Sequence, residues 1–213
     1  MTTSGAPVSL EVSNVAFLRN ENVILNDVRF SLAPGELLQI DGANGSGKST
    51  LLRILAGLLD ATEGDIVWRG GDCALTPAQI RDNLTYLGHK NAIKDDLSSL
   101  ENLDYITLLK RSHSGIPACE ALRMFNLAHT AQTPTGRLSA GQKRKIALSR
   151  LLVSATRCWL LDEPFTALDQ DGKKILEGII KHHVDTGGMV VFATHQAMEI
   201  EGCNVRHYHL DPS

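Results

Sequence analysis

Cysteine is scarce: Cys73, Cys119, Cys158 and Cys203 are scattered, with no C-x-x-C pair, which argues against a disulfide framework or a zinc site. A reducing, cytosolic setting is the simple expectation. Basic residues are not in excess either, since 21 Lys and Arg face 24 Asp and Glu for a net charge of -3. That balance excludes a general electrostatic attraction for nucleic acid, so any polyanion must be held by a local site. No apolar run reaches the roughly 18 residues of a membrane helix, and the start has no basic segment followed by an apolar stretch. Action at a membrane would need another chain to supply the spanning part. Repeats and low-complexity tracts are missing as well. What remains is a chain of 213 residues, 43% apolar and 21% charged, enough to bury one full core.

Strand-like runs occur at Val8 to Val12, Val28 to Leu32 and Leu37 to Asp41, and Pro34-Gly35-Glu36 supplies turn chemistry between the last two. This predicts an antiparallel β start. From Lys48 to Leu58, Leu51, Leu52, Ile54, Leu55 and Leu58 recur at helical spacing. The section from about Ser98 to Ser154 reads as mainly helical, with a capping box at Ser98-Ser99-Leu100-Glu101 and Pro117 at a helix's first position. Buried strands return at Cys158 to Leu161 and Met189 to Ala193, with a helix starting near Asp169 between them.

Chemistry concentrates in four places. In Gly42-Ala43-Asn44-Gly45-Ser46-Gly47-Lys48-Ser49 the glycines let backbone N–H groups turn toward phosphate oxygens, Lys48 reaches the β and γ phosphates, and the Ser49 hydroxyl ligates Mg²⁺. A strand precedes this loop and a helix follows it, as a phosphate site requires. Leu160-Leu161-Asp162-Glu163 ends a buried strand with two carboxylates: Asp162 to hold Mg²⁺ and Glu163 to polarise the attacking water. Alone, such a run would be a strand emerging into solvent; beside the phosphate loop it is a partner of that loop. His195 follows the strand Met189 to Thr194, at a strand's C-terminal end, where open α/β sheets bind ligands. His182, His183, His207 and His209 are expected to be solvated or strand-facing. Lastly, Leu138-Ser139-Ala140-Gly141-Gln142 opens a helix with an N-cap serine and a glycine that lets an anion approach. A plain alternative is a capped amphipathic helix with Lys143, Arg144 and Lys145 on its wet face.

Taken in order, these residues resemble the ATP-binding cassette ATPases. Walker A covers 42 to 50, so the resemblance implies ATP contacts from Gly42, Ala43, Asn44, Gly45, Ser46, Gly47, Lys48, Ser49 and Thr50. Walker B lies at 158 to 163, the D-loop at Ala167-Leu168-Asp169 and the switch histidine at His195. Ser139, Ala140, Gly141 and Gln142 match the signature, which in that family engages ATP held by a second copy. A head-to-tail dimer is therefore implied, with ATP and Mg²⁺ as cofactors. The implied fold is α/β, a P-loop NTPase of the ABC type with a small antiparallel β subdomain and a helical subdomain. Residues 1–213 then form a single domain, its core at about 1–89 and 156–213 and its helical subdomain at about 90–155. Two family features depart from the usual pattern: the Q-loop position is His89, and the aromatic that stacks on adenine is missing from its expected place, around Arg19. Arg19 could stack instead, or Phe17 could serve.

Leu87-Gly88-His89, Ile93-Lys94, Glu101-Asn102-Leu103, Leu138-Ser139-Ala140-Gly141-Gln142, Asp162 to Asp169 and Thr194-His195-Gln196 look like the CcmA-type subgroup, the ATP-binding subunits of haem exporter systems for c-type cytochrome maturation. That likeness implies a CcmB-type membrane permease and other cytochrome c maturation proteins as partners, at the cytoplasmic face of a bacterial inner membrane. Hydrolysis would drive haem export or release of a haem chaperone. The competing expectation is a soluble, non-transport ABC ATPase such as the iron-sulfur assembly type. A plain P-loop kinase or GTPase leaves the signature unexplained, and DNA-repair cassettes would carry a long heptad insertion.

Overall fold

The computed structural model describes residues 7–109, 115–195 and 197–210. In chain order the strands and helices begin with β1 (Val8–Arg19), β2 (Asn22–Leu32), β3 (Leu37–Asp41), α1 (Lys48–Leu55), β4 (Glu63–Gly70) and β5 (Cys73–Ala74). Then come α2 (Pro77–Asn83), β6 (Leu84–Leu87), α3 (Ser99–Leu109), α4 (Ala118–Met124) and α5 (Ala140–Ser154). The chain closes with β7 (Cys158–Asp162), α6 (Gln170–Asp185), β8 (Met189–Ala193) and β9 (Val205–His209). Gln196, the last residue of the Thr194-His195-Gln196 motif, lies outside the described residues.

Two sheets organise these elements. One is antiparallel in the order β2-β1-β4-β5, and the other is parallel in the order β6-β7-β8-β3-β9. The antiparallel start is therefore real, but β3 does not belong to it. The turn after β2 carries the chain into the parallel sheet, where β3 runs between β8 and β9. Leu37-Leu38-Gln39-Ile40 is buried at every position, as a central parallel strand requires and a half-exposed hairpin strand does not.

Side-chain alternation divides the core into two layers. On one face of the parallel sheet Leu87, Trp159, Leu161, Val190 and Phe192 pack with Leu103, Phe125, Leu148 and Leu151 of the helical section and with Leu176 and Ile180 of α6. On the other, Cys158, Leu160, Met189 and Val191 meet α1 through Leu51, Leu52 and Leu55 and the antiparallel sheet through Leu10, Val12 and Val28. Burial on both faces pushes the Cys158 thiol up and leaves it unreactive.

Local signals hold with small adjustments. Ser98 Oγ accepts from Glu101 N–H at 3.2 Å while Glu101 Oε2 accepts from Ser98 N–H at 2.8 Å, so the expected capping box forms. Those bonds hold the Glu101 carboxyl below its ordinary value. Pro117 sits one residue earlier than expected, as the N-cap of α4 rather than its first helical residue. α1 ends at Leu55, and Leu58 is exposed beyond it. His183 departs most: its ring stacks on Trp159 at 3.6 Å and 6°, and burial lowers its pKa to about 4. His182 is exposed, and His207 Nδ1 lies 2.8 Å from Asp41 Oδ2.

Candidate nucleotide site

The ends of four adjacent strands, β6, β7, β8 and β3, deliver the polar residues that the sequence singles out. The phosphate loop follows β3, Asp162 and Glu163 end β7, His195 follows β8 and His89 follows β6. They meet in one cleft of about 510 Å³, lined by Asn44, Gly45, Gly47, Lys48, Ser49, Thr50, His89, Asp162, Glu163 and His195, with Arg19, Ile24 and Thr166. Gly42 and Ala43 border a smaller neighbouring recess with Asn44 and His195. That volume suits a small ligand, and its position at the carboxyl ends of a parallel sheet is the usual one.

The loop owes its shape to glycine. Gly47, the N-cap of α1, has φ 94°, and a Cβ there would stand 2.7 Å from Leu25 Cδ2 and 2.8 Å from the Ile24 carbonyl. Gly45, at φ 87°, meets nothing within 4 Å and leaves its side open to a ligand. Behind them Lys48, only 7% exposed, donates from Nζ to the Gly42 carbonyl at 2.7 Å and to the Ala43 carbonyl at 2.8 Å. The ammonium is thereby fixed inside the loop, while the first N–H groups of α1 lack helical partners and face an anion site.

Opposite the loop, Asp162 is 2% exposed and its Oδ2 has no hydrogen-bond partner. A buried carboxylate oxygen of this kind is costly unless a cation or water takes it. Ser49 lines the same cleft, so the pair fits Mg²⁺, which prefers few protein oxygens with water and phosphate completing its shell. No group of three His, Cys, Asp or Glu side chains among the described residues suggests a different metal. Glu163 stands beside Asp162 with φ 49°, a left-handed conformation that costs a non-glycine residue about 1 kcal/mol or more. Its N–H donates to Ala193 at 2.9 Å, and its carbonyl accepts from Arg144 Nη2 at 2.7 Å. Its carboxylate Oε1 lies 3.2 Å from His195 Nδ1 and Oε2 lies 3.5 Å from Thr166 Oγ1.

The signature residues lie elsewhere. Ser139, Ala140, Gly141 and Gln142 are not among the residues lining the cleft, and Ser139 and Ala140 are exposed. Ser139 Oγ accepts from the Gln142 N–H at 3.2 Å and Gln142 Oε1 accepts from the Ser139 N–H at 3.0 Å, a reciprocal cap that presents the helix start to solvent. A Cβ on Gly141 would come within 3.1 Å of the Ala167 carbonyl, so the D-loop packs against this helix start. Asp169 caps α6 through Gly172 N–H and pairs with Lys145 at 2.9 Å, and that ammonium first, then the cap, holds its carboxyl below the usual range.

Three residues were not foreseen from the sequence. Arg144 is 4% exposed rather than on a wet face, and it binds the backbone behind the carboxylates. Arg144, Ala147, Leu148 and Leu151 form an i, i+3, i+4, i+7 stripe, a signal that was available. Burial lowers the pKa of its guanidinium, against the opposite pull of Asp162 and Glu163. Ile24 and Thr166 gave no signal. Of the two residues considered for adenine, Arg19 lines the cleft, while Phe17 lies beneath it in the β core, 6.0 Å from the guanidinium carbon.

A phosphate loop, a buried carboxylate pair and a strand-end histidine in one cleft, with a capped glycine helix outside it, define an ABC-type ATPase. The profile of the ABC transporter family matches residues 25–166. The "Cytochrome c biogenesis ATP-binding export protein CcmA" of Vibrio vulnificus is 42% identical over 92% of this chain and 97% of its own length. The protein of that name from Nitrosomonas europaea is 41% identical over 97% of this chain and 98% of its own. The chain therefore belongs to the CcmA-type ATP-binding proteins of the ABC transporter family. Their export name does not favour the soluble iron-sulfur alternative. Among solved structures, the "Dimeric structure of a post-hydrolysis state of the ATP-binding cassette MJ0796 bound to ADP and Pi" matches with TM-score 0.75 and 28% identity over 88% of each chain.

Proposed function

We propose that this ATPase is the energy-supplying subunit of a bacterial complex for c-type cytochrome biogenesis, acting as a head-to-tail pair against a CcmB-type permease at the cytoplasmic face of the inner membrane. It couples ATP binding and hydrolysis to haem export or to release of a haem chaperone. The names of its relatives support the biological setting, and no helix among the described residues is long and apolar enough to cross a membrane, in keeping with a peripheral subunit.

The observation that carries the chemistry is the orphaned Asp162 Oδ2 beside the Glu163 and His195 pair, across one cleft from Lys48. Residues 42 to 50 wrap the phosphates with backbone N–H groups, and Lys48 neutralises their charge. Asp162 and Ser49 would hold Mg²⁺, which when bound would offset the charge of the β and γ phosphates. Glu163 orients and polarises the attacking water; His195, with Nδ1 committed to Glu163, has Nε2 available to the terminal phosphate. His89, which lines the same cleft, would accept a bond from a water of the ion's shell, and Arg19 would stack on adenine. Ser139, Ala140, Gly141 and Gln142 of the second copy close the site, with Asp169 steadying the contact between copies.

Replacing Glu163 with Gln keeps the cleft's shape and removes the charge that polarises water. Glu163→Gln should bind ATP with the wild-type Kd while turnover falls about a hundredfold or more. Wild-type hydrolysis in that variant would remove Glu163 from this role. Recovery of the chain with membranes should likewise depend on co-expression of the permease; equal recovery without it would reject the peripheral-subunit assignment.

A further inference from the structure

Arg144 bridges parts of the molecule that the ATPase cycle must coordinate. It lies on α5, five residues after Ser139, and its guanidinium is buried. Nη1 donates to the Gly88 carbonyl and to Asn91 Oδ1, each at 3.2 Å. Nη2 donates to the carbonyls of Asp162 at 2.9 Å and Glu163 at 2.7 Å. One planar group thus holds the end of β7, where the two carboxylates sit, and the segment after β6, where His89 stands between Gly88 and Asn91. Arg150, also on α5, adds a bond to the Asn91 carbonyl at 3.4 Å.

We propose that Arg144 is a positioning residue for hydrolysis: it sets Glu163 and His89 from the signature helix, so that contact of Ser139 with the other copy's nucleotide arms this chain's own carboxylate. The inference rests on the composite-site reading given above. Glu163 is held left-handed by one bond from its N–H to Ala193 and one from Arg144 to its carbonyl at 2.7 Å, with a longer bond from the Thr166 N–H to that carbonyl at 3.2 Å. Movement of α5 shifts the second anchor and not the first, which turns the Glu163 backbone. Lysine cannot substitute, because an ammonium is a point donor, whereas the guanidinium fork reaches two strand ends at once. Gly88 and Asn91 give the same helix a grip on the His89 segment, placing both flanks of the metal site under α5.

The test uses the full chain with three variants, Arg144→Lys, Arg144→Gln and Asn91→Ala, measuring kcat, KM for ATP, Kd for a fluorescent ATP analogue and the melting temperature. For the Arg144 variants kcat should fall about tenfold or more, with KM and Kd within roughly twofold of wild type. The dimer formed in MgATP should then persist, as in Glu163→Gln. Asn91→Ala removes one acceptor from a loop outside the helices and strands and should lower kcat about threefold with KM unchanged. Full kcat in Arg144→Lys would overturn the proposal, as would parallel losses of kcat, nucleotide binding and melting temperature. Should the Arg144 variants fail to fold, unchanged kcat in Asn91→Ala overturns it and the expected fall upholds it. Failure of the ATPase reading is a separate result, seen as normal turnover in Glu163→Gln.

Discussion

His183 and His89 illustrate how one residue type serves different ends. Stacked on Trp159 and starved of water, His183 stays neutral in the folded chain down to about pH 4, whereas the unfolded chain takes up its proton near the ordinary value of about 6.5. Between those values the unfolded state binds more protons, so this contribution is complete above about pH 6.5 and is lost as the pH falls toward 4. It amounts to at most about 3.5 kcal/mol, since each pH unit separating the two values contributes roughly 1.4 kcal/mol. The melting temperature should therefore drop across that window, and His183→Phe should flatten that part of the profile; an identical slope in the variant would contradict the assignment. The neighbouring sequence gives no hint of this, because the stacking joins the start of β7 to the far end of α6. His89 is exposed in the cleft, and the role proposed for it needs only an acceptor. His89→Gln, whose amide oxygen also accepts, should retain kcat within about threefold of wild type. A larger loss in kcat would show that the imidazole itself is required.

Elements were legible where their evidence is local. The Ser98 and Ser139 caps, the glycine loop before α1 and the carboxylates closing β7 are contiguous patterns and form as the sequence predicts. β3 was assigned as a strand but its sheet was not, since pairing is settled by β8 and β9, more than a hundred residues away. α5 was legible as a helix, yet its buried face begins at a charged residue, and charge outweighed the spacing that would have placed Arg144 inside. The helix and the sheet behind it also share stability with the site. Phe192 in β8 is fully buried and meets Phe165, two residues past Glu163, edge-on at 6.3 Å and 75°. Phe192→Ala should cost about 3 to 5 kcal/mol in denaturant unfolding. A loss below about 1 kcal/mol would mean that this face of the sheet tolerates the cavity.

At the scale of the whole molecule, two features suited to anions stand apart in one chain. The phosphate loop and the strand ends build a cleft in one chain, while the capped start of α5 stands outside it. In the head-to-tail pair proposed above ATP would complete both, and Arg144 links the outward helix to the chain's own carboxylates. The cleft's motif residues were read from sequence because each motif ends or follows a strand; Ile24, Thr166 and the link between helix and cleft were not, because they meet only in three dimensions. The most direct measurement is sedimentation velocity in MgATP of Glu163→Gln alone and combined with Ser139→Asp. Aspartate preserves the N-cap of α5 and sets a negative charge against the other copy's phosphate. The account predicts a dimer for the single variant and a nucleotide-bound monomer for the double. Equal dimerisation of both, or monomers throughout with ATP bound, would contradict it.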